Sequence, residues 1–303
     1  MFLLVGGDAE IGVATARRLR TGGDAVTATT RRLDGVAADR PFLDLSSPLD
    51  SWEPPPGTQA ACVVAAVARL AACHADPVGS ARVNVTQTIA LCERLIARGV
   101  YLLFLSTNQV FDGRSPHVPA DAPPAPVSEY GRQKARTEAA LRAHIARGAP
   151  VAILRLAKVV SPDMALVRSW VASLSGGKPI RAFHDMTLAP TPIGIVAEAI
   201  ARLLKDQVRG IFQLTGPRDV SYEAVGRHLA RRLHADEALV EAASACSAGL
   251  PEGSTPRHTT LDSTTLEDRY GVTVPDAWQV LDELVFGYRN HAPTSLVCDD
   301  DAR

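Results

Sequence analysis

What this chain lacks narrows its class before any motif is read. Its five cysteines, at positions 62, 73, 92, 246 and 298, form no CxxC and no paired spacing. That pattern excludes a disulfide framework and predicts buried or idle thiols in a reduced, cytoplasmic setting. His74 beside Cys73 has no second close pair, so no metal site is predicted. A formal net charge of -1 removes the electrostatic case for binding nucleic acid or an acidic membrane surface. No apolar stretch approaches the roughly 20 residues of a membrane span. Met1 opens straight into a short apolar run with no basic region, so no signal peptide and a soluble protein are predicted. Internal repeats and long low-complexity tracts are also missing.

What is present is ample core material, with 46% hydrophobic residues in 303. The apolar runs are short and alternate with helical patterns at Val13 to Arg20, Val78 to Arg98 and Glu129 to Arg147. That alternation predicts an α/β fold with a parallel sheet covered on both faces. Strands are expected at Phe2 to Val5, Ala25 to Thr30, Phe42 to Leu45, a run ending at Ala65-Ala66-Val67, Val100 to Leu105 and Val151 to Leu156. Regular alternation holds up to about residue 150, broken by Trp52-Glu53-Pro54-Pro55-Pro56 and by a loop from Arg114 to Val127. Pro116, Pro119, Pro123, Pro124 and Pro126 stiffen that loop and suit it to wall a site. The expected organisation is a nucleotide-binding core over 1–150, a return to the core with a smaller lobe over 151–290, and a disordered tail over 291–303 carrying Asp299-Asp300-Asp301. Helices are expected at Ala165 to Leu174 and Ile193 to Leu204.

The most informative motif is Tyr130-Gly131-Arg132-Gln133-Lys134, which follows a strand-like run ending in Ser106-Thr107. Residues i and i+4 share a helix face, so Tyr130 and Lys134 can enter one pocket that Thr107 reaches from the strand end. A phenol near its ordinary pKa of about 10 is a poor acid or base at neutral pH, and a neighbouring ammonium lowers it. Tyr130 would then exchange a proton with a carbonyl or alcohol oxygen that the Thr107 hydroxyl also contacts. The spacing alone also fits a solvated tyrosine near a lysine. A second motif changes the balance. Phe2 to Val5 runs into Gly6-Gly7-Asp8-Ala9-Glu10-Ile11-Gly12 and then a helix, the arrangement that sets backbone N–H groups and a helix N-terminus against a dinucleotide pyrophosphate.

After the second strand, where an acid would bind the ribose hydroxyls of NAD, stand Arg31 and Arg32. An arginine there can pair with the 2′-phosphate of NADP, a charge-assisted bond of about 1.5 to 3 kcal/mol. NADP(H) is therefore the preferred cofactor and NAD(H) the second possibility; two solvated loop arginines are the plain alternative.

With both motifs in hand, the chain resembles the short-chain dehydrogenase/reductase superfamily, in its extended branch acting on nucleotide sugars. It most resembles the dTDP-4-dehydrorhamnose reductase family. Ser106-Thr107-Asn108-Gln109-Val110-Phe111-Asp112-Gly113 is similar to that family's STDYVFDG, and Tyr130 to Lys134 with Glu138 to its YGxxK and later acid. Further likeness lies in Arg155, in His184 to Thr191 against DQxGxPT, in Gly210 to Gly216 against GxYHxxG, and in Pro256 to Asp262 against RPxxxxLD. The resemblance covers residues 1 to about 285. It implies a Rossmann-type, doubly wound parallel sheet with a smaller C-terminal substrate lobe. It also implies Tyr130, Lys134 and Thr107 as catalytic residues, with Tyr130 and Lys134 also at the cofactor.

For the cofactor the resemblance further implies Gly6, Asp8, Ala9, Glu10, Ile11 and Gly12 in the turn, Asp44 and Leu45 around the adenine, and Ala65, Ala66 and Val67 where small residues let it approach. Asn84 matches an asparagine of this branch that braces a helix or touches ligand. Arg155 begins a segment shaping the substrate side. Departures are informative. Ala9 replaces the middle glycine of GxxGxxG or, against the TGxxxGxG pattern, Glu10 replaces a glycine; Asn108-Gln109 replaces the family's Asp-Tyr, and Lys158 stands in the stretch where a tryptophan is expected. Asn108, Gln109 and Lys158 are therefore the candidate substrate contacts, with Lys158 able to meet a sugar or phosphate or simply to sit at a strand rim. The implied activity is NAD(P)H-dependent reduction of a nucleotide-activated 4-keto-6-deoxy sugar, in a possible homodimer. Two other readings stand beside it: a nucleotide-sugar epimerase or dehydratase, and a non-catalytic nucleotide-binding regulatory subunit.

Overall fold

The structure, a computed structural model, describes residues 1–49, 52–250 and 255–291. Its element order starts β1 (Phe2–Val5), α1 (Glu10–Thr21), β2 (Val26–Ala28), β3 (Ala60–Val63), α2 (Leu70–Ala75), α3 (Pro77–Ala81), α4 (Thr88–Ala97), β4 (Tyr101–Thr107) and α5 (Glu129–Ala146). It continues β5 (Val151–Leu156), β6 (Val159–Val160), α6 (Ala165–Ser175), β7 (Ile180–Phe183), β8 (Thr187–Leu188), β9 (Thr191–Pro192), α7 (Ile193–Asp206) and β10 (Gly210–Leu214). The chain closes with β11 (Val220–Ser221), α8 (Tyr222–Leu233), β12 (Val240–Ala243), α9 (Thr264–Tyr270) and α10 (Ala277–His291).

A six-stranded sheet runs β10-β5-β4-β3-β1-β2, with every pair parallel. Parallel strands need crossovers, and these place helices on both faces. Alternation along each strand divides the core. Leu4, Cys62, Leu103, Leu105 and Leu154 pack with Leu19 of α1 and Ile200, Leu203 and Leu204 of α7. Leu3, Val5, Val63, Leu102, Phe104 and Ile153 face Leu91 and Leu95 of α4 and Leu141 of α5. Each buried leucine contributes about 1.5–3 kcal/mol. A separate cluster joins α6, β7, α8, β12 and α10, with Trp170 edge-on to Tyr222 at a ring separation of 6.4 Å.

Three local expectations are corrected. Phe42 to Leu45 is not a strand: only Phe42 bridges Thr30. The segment still lies beside β2, with Ala28 N–H donating to Asp39 O, Thr30 N–H to Pro41 O and Leu43 N–H to Thr30 O, but Pro41 has no N–H to return to Ala28 O, so the pairing is reduced to a single bridge. The strand expected to end at Ala65-Ala66-Val67 ends at Val63, and those three residues follow as coil. The single helix expected over Val78 to Arg98 is interrupted by a π-helical turn, Arg82–Gln87, between α3 and α4. At the C-terminal end α10 reaches His291, the first residue of the tail expected to be disordered; the rest of that tail, with Asp299 to Asp301, lies outside the described residues.

Candidate active site

The carboxyl ends of the central strands carry the site. At the end of β4, Thr107 caps a 3₁₀ turn, Asn108–Val110, with its Oγ1 accepting the Gln109 N–H at 3.2 Å. Its own proton is met only by a long 3.4 Å contact to Asn108 Oδ1. Ser128 then caps α5, accepting the Gly131 N–H at 3.1 Å and donating to Gln109 Oε1 at 3.1 Å. Gln109, a candidate substrate contact, thus has its side-chain oxygen engaged in tying the 3₁₀ turn to the helix cap.

Gly131 makes that docking possible. A Cβ built there would lie 2.1 Å from Gln109 O, a backbone atom that cannot swing aside. Gly131→Ala is expected to push α5 off the strand end, at a cost of about 1–3 kcal/mol. A lowered thermal midpoint together with at least a tenfold lower kcat checks it; unchanged kcat would show that the helix position is not fixed by this contact.

One turn on, Lys134 is 3% exposed; its Nζ donates to Leu105 O at 2.7 Å and lies 4.3 Å from the Phe104 ring centroid. Desolvation pulls its pKa down to about 8, with Glu138 opposing. Tyr130 departs from the sequence expectation. Burial pushes its phenol up, with the Cys73 thiol adding to the rise, and Lys134 does not offset it.

Asn84 is the brace rather than an exposed contact. Buried at 2% exposure, it accepts the Val67 N–H at 2.8 Å and donates to Val67 O at 3.0 Å, while its amide also reaches Gln133 Oε1 at 2.8 Å. It clamps the Ala65-Ala66-Val67 segment to α5. Cys73 Sγ also donates to Val67 O, while His74 beside it is exposed.

Across the sheet, Gly6 adopts φ +92°, and a Cβ there would meet Ala65 N at 2.8 Å. Gly12 allows α1 to close on the turn, since its Cβ would fall 2.5 Å from Gly6 O. Gly7 is as tight, at 2.6 Å from Ala28 Cβ, and belongs to the cradle although the sequence reading passed over it. Ala9, in place of a glycine, sits at φ -74° and ψ 149°, an ordinary extended conformation that any residue adopts. α1 has no side-chain cap, so the N–H groups of Glu10, Ile11 and Gly12 stand at its start as donors suited to a pyrophosphate. The residues present therefore fit a dinucleotide.

Around this cradle, Arg31 and Arg32 are exposed just past β2. Asp8 is bound by Thr30 and by Arg40, a residue with no signal in the local sequence. Asp44 turns inward on its own loop, accepting the Ser46 N–H at 2.9 Å and the Ser46 hydroxyl at 2.8 Å, and Leu45 is buried. Lys158 is exposed after β5, near the start of α1: Glu10 acts on its charge and accepts the Ser161 hydroxyl at 3.1 Å.

Arg155, at the start of the segment expected to shape the substrate side, is wholly buried. It pairs with Glu138 through Nε at 3.0 Å and Nη2 at 2.7 Å, donates from Nη1 to Ala120 O and Gln213 Oε1, and stacks over Phe111. Gln213 passes the connection to Val118 O and Asp262 O, so the proline-rich loop is tied to the sheet.

The RmlD substrate binding domain family model matches residues 1–288. A probable low-salt glycan biosynthesis reductase of Haloferax volcanii is 29% identical over 210 residues, covering 67% of this chain and 69% of that protein. A dTDP-4-dehydrorhamnose reductase from Clostridium acetobutylicum superposes with a TM-score of 0.79 at 18% identity, covering 94% of this chain and 98% of that one. A UDP-glucose 4-epimerase from Thermus thermophilus, solved with NAD, gives a TM-score of 0.78 at 22% identity, covering 96% and 99%. Both share the Rossmann-type fold described above. With the match running through cradle, strand end and lobe alike, this chain belongs to the RmlD substrate binding domain family.

Proposed function

We propose that this protein is a nucleotide-sugar reductase that converts the keto group of a nucleotide-linked 4-keto-6-deoxy sugar to an alcohol. The observation that carries it is the docking of α5 on the end of β4, at the carboxyl edge of the sheet that also carries the cradle, which supports Tyr130, Lys134 and Thr107 acting around one strand end. A nicotinamide dinucleotide held by the Gly6 to Gly12 turn would supply the hydride. Tyr130, kept protonated by burial, donates its proton to the oxygen as negative charge develops there. Lys134 stands one turn away with a buried positive charge that favours the phenolate left behind. Thr107 has its oxygen occupied by the Gln109 N–H, so its proton can turn to the substrate oxygen. Asn108 and Lys158 are the groups proposed to meet the sugar and its diphosphate.

Arg31 and Arg32, with no acid at the end of β2, favour NADPH over NADH in this reading. The family likeness adds a homodimer, and the buried thiols of Cys62, Cys73 and Cys92 agree with a cytoplasmic setting. Among the described residues no helix is long and apolar enough to cross a membrane.

The test is consumption of NADPH and of NADH against a panel of nucleotide-linked 4-keto-6-deoxy sugars. Substrate-dependent consumption, faster with NADPH, is the expected result. Tightly bound nucleotide with product isomers but no net consumption would instead identify an epimerase. Nucleotide binding with no turnover of any kind would identify a regulatory subunit.

A further inference from the structure

The Asp8 carboxylate occupies a set of donors that would suit a phosphate. The Thr30 hydroxyl donates to Oδ2 at 2.7 Å, Arg40 Nη2 donates to Oδ1, and the Arg31 N–H also donates to the carboxylate. Thr30 is itself oriented by the Arg32 N–H, which donates to its Oγ1 at 3.0 Å. Burial would raise the Asp8 pKa, but the Thr30 bond, the Arg40 charge, the Arg31 N–H and the Arg32 charge together hold it below the usual range, so the group is an anion at neutral pH. A hydroxyl, a backbone N–H and a guanidinium, with two further arginines at hand, are the usual components of a phosphate monoester site.

The position gives this donor set its meaning. Asp8 lies in the glycine turn and reaches the carboxyl end of β2, where the adenosine ribose of a bound dinucleotide is read. Resting on the cofactor assignment above, we propose that Asp8 is a cofactor-selecting residue: an internal anion that competes with the 2′-phosphate of NADP(H) for Thr30 and Arg40 and so keeps the preference over NAD(H) narrow. A 2′-hydroxyl needs no such displacement, so the non-phosphorylated cofactor is spared. Arg40, with Arg31 and Arg32, is then the cation that the phosphate would take over.

Equilibrium titration of the intact protein with NADPH, NADH, 2′,5′-ADP and 5′-ADP, followed by calorimetry, tests this without turnover. Asp8→Asn keeps the shape and removes the charge. It should tighten NADPH and 2′,5′-ADP by about ten- to a hundredfold, the worth of one charge-assisted bond, while NADH and 5′-ADP change less than threefold. Adding Arg40→Met to Asp8→Asn should cancel the gain, and Arg40→Met alone gives a second reading if the first variant folds poorly: its NADPH affinity should fall while NADH holds, because the cation the phosphate would take over is gone and Asp8 is left unpaired, and an unchanged NADPH affinity overturns the proposal. Unchanged or weaker NADPH binding by Asp8→Asn overturns the proposal. So does a tenfold loss of NADH alone, which would make Asp8 an acceptor for the ribose hydroxyls. If neither dinucleotide binds the unmodified protein or any variant, the cofactor assignment itself fails and the selection role with it.

Discussion

Tyr130→Phe should lower kcat by about 10²- to 10⁴-fold, the range for losing a positioned general acid, with little change in folding. The ring keeps its volume and its packing on α5, so only the proton is lost. The pH profile separates this from a structural defect. Lys134, pulled down to about 8, is mostly charged at pH 7 and largely neutral at pH 9. Turnover of the unmodified enzyme should therefore decline above pH 8, when the charge that favours the phenolate disappears. Stability should move the other way. The unfolded chain holds the Lys134 proton up to the ordinary lysine value of 10.5, whereas the fold releases it near 8, so between those values the unfolded state binds more protons. Stability from this group rises with pH across that window. Lys134→Met should share the loss of turnover yet unfold at a higher temperature near pH 7, because it removes a desolvated charge. Turnover of Tyr130→Phe within threefold of the unmodified enzyme on an authentic substrate would sink the assignment.

Arg155→Met carries the second large effect, a loss of about 3–5 kcal/mol in unfolding free energy. Both partners of the Arg155–Glu138 pair are fully buried, so removing the guanidinium strands a carboxylate away from water. It also strips the donors from Ala120 O and Gln213 Oε1. Glu138→Gln should be at least as costly, since an unpaired carboxylate can take up a proton but an arginine keeps its charge. Replacing both by apolar residues, as in Arg155→Met with Glu138→Leu, should recover most of the deficit, because a buried pair is worth little more than good packing. Urea unfolding of the three variants reads this directly. A deficit under 1 kcal/mol for Arg155→Met would show that the network tolerates the loss and that the proline-rich loop is held by other contacts.

The contrast between what was legible in the sequence and what was not follows the range of the interactions. β1, the glycine turn and α1 were readable because strand period, glycine conformation and helix start are all encoded within 20 neighbouring residues. Tyr130 and Lys134 were readable because four residues make one helical turn. The Phe42 to Leu45 strand is cut short by its neighbour: β2 ends at Ala28, and beyond it only Thr30 pairs with the segment, through Pro41 and Leu43. The π turn at Arg82–Gln87 left no periodic trace, since Asn84 earns its place through Val67 and Gln133, 17 and 49 residues away. The partner of Arg155 is hidden for the same reason: Glu138, 17 residues earlier, meets it only across the core. Likewise Arg40 meets Asp8 over 32 residues of chain, with nothing local to announce it. The phenol pKa went wrong because the spacing to Lys134 says nothing of burial.

The broken segment beside β2 bears on behaviour at high concentration. A sheet margin with a full row of open amide and carbonyl groups invites a second molecule to add a strand, the first step of ordered aggregation. Here β2 is only three residues long, and Asp39 takes up the Ala28 N–H while Pro41 and Leu43 cover Thr30 just beyond it, without forming a regular strand of their own. Pro41 breaks the regularity of that cover, and Arg31 and Arg32 add charge beside it. The interruption that frustrated the strand assignment is therefore a guard against edge-to-edge pairing.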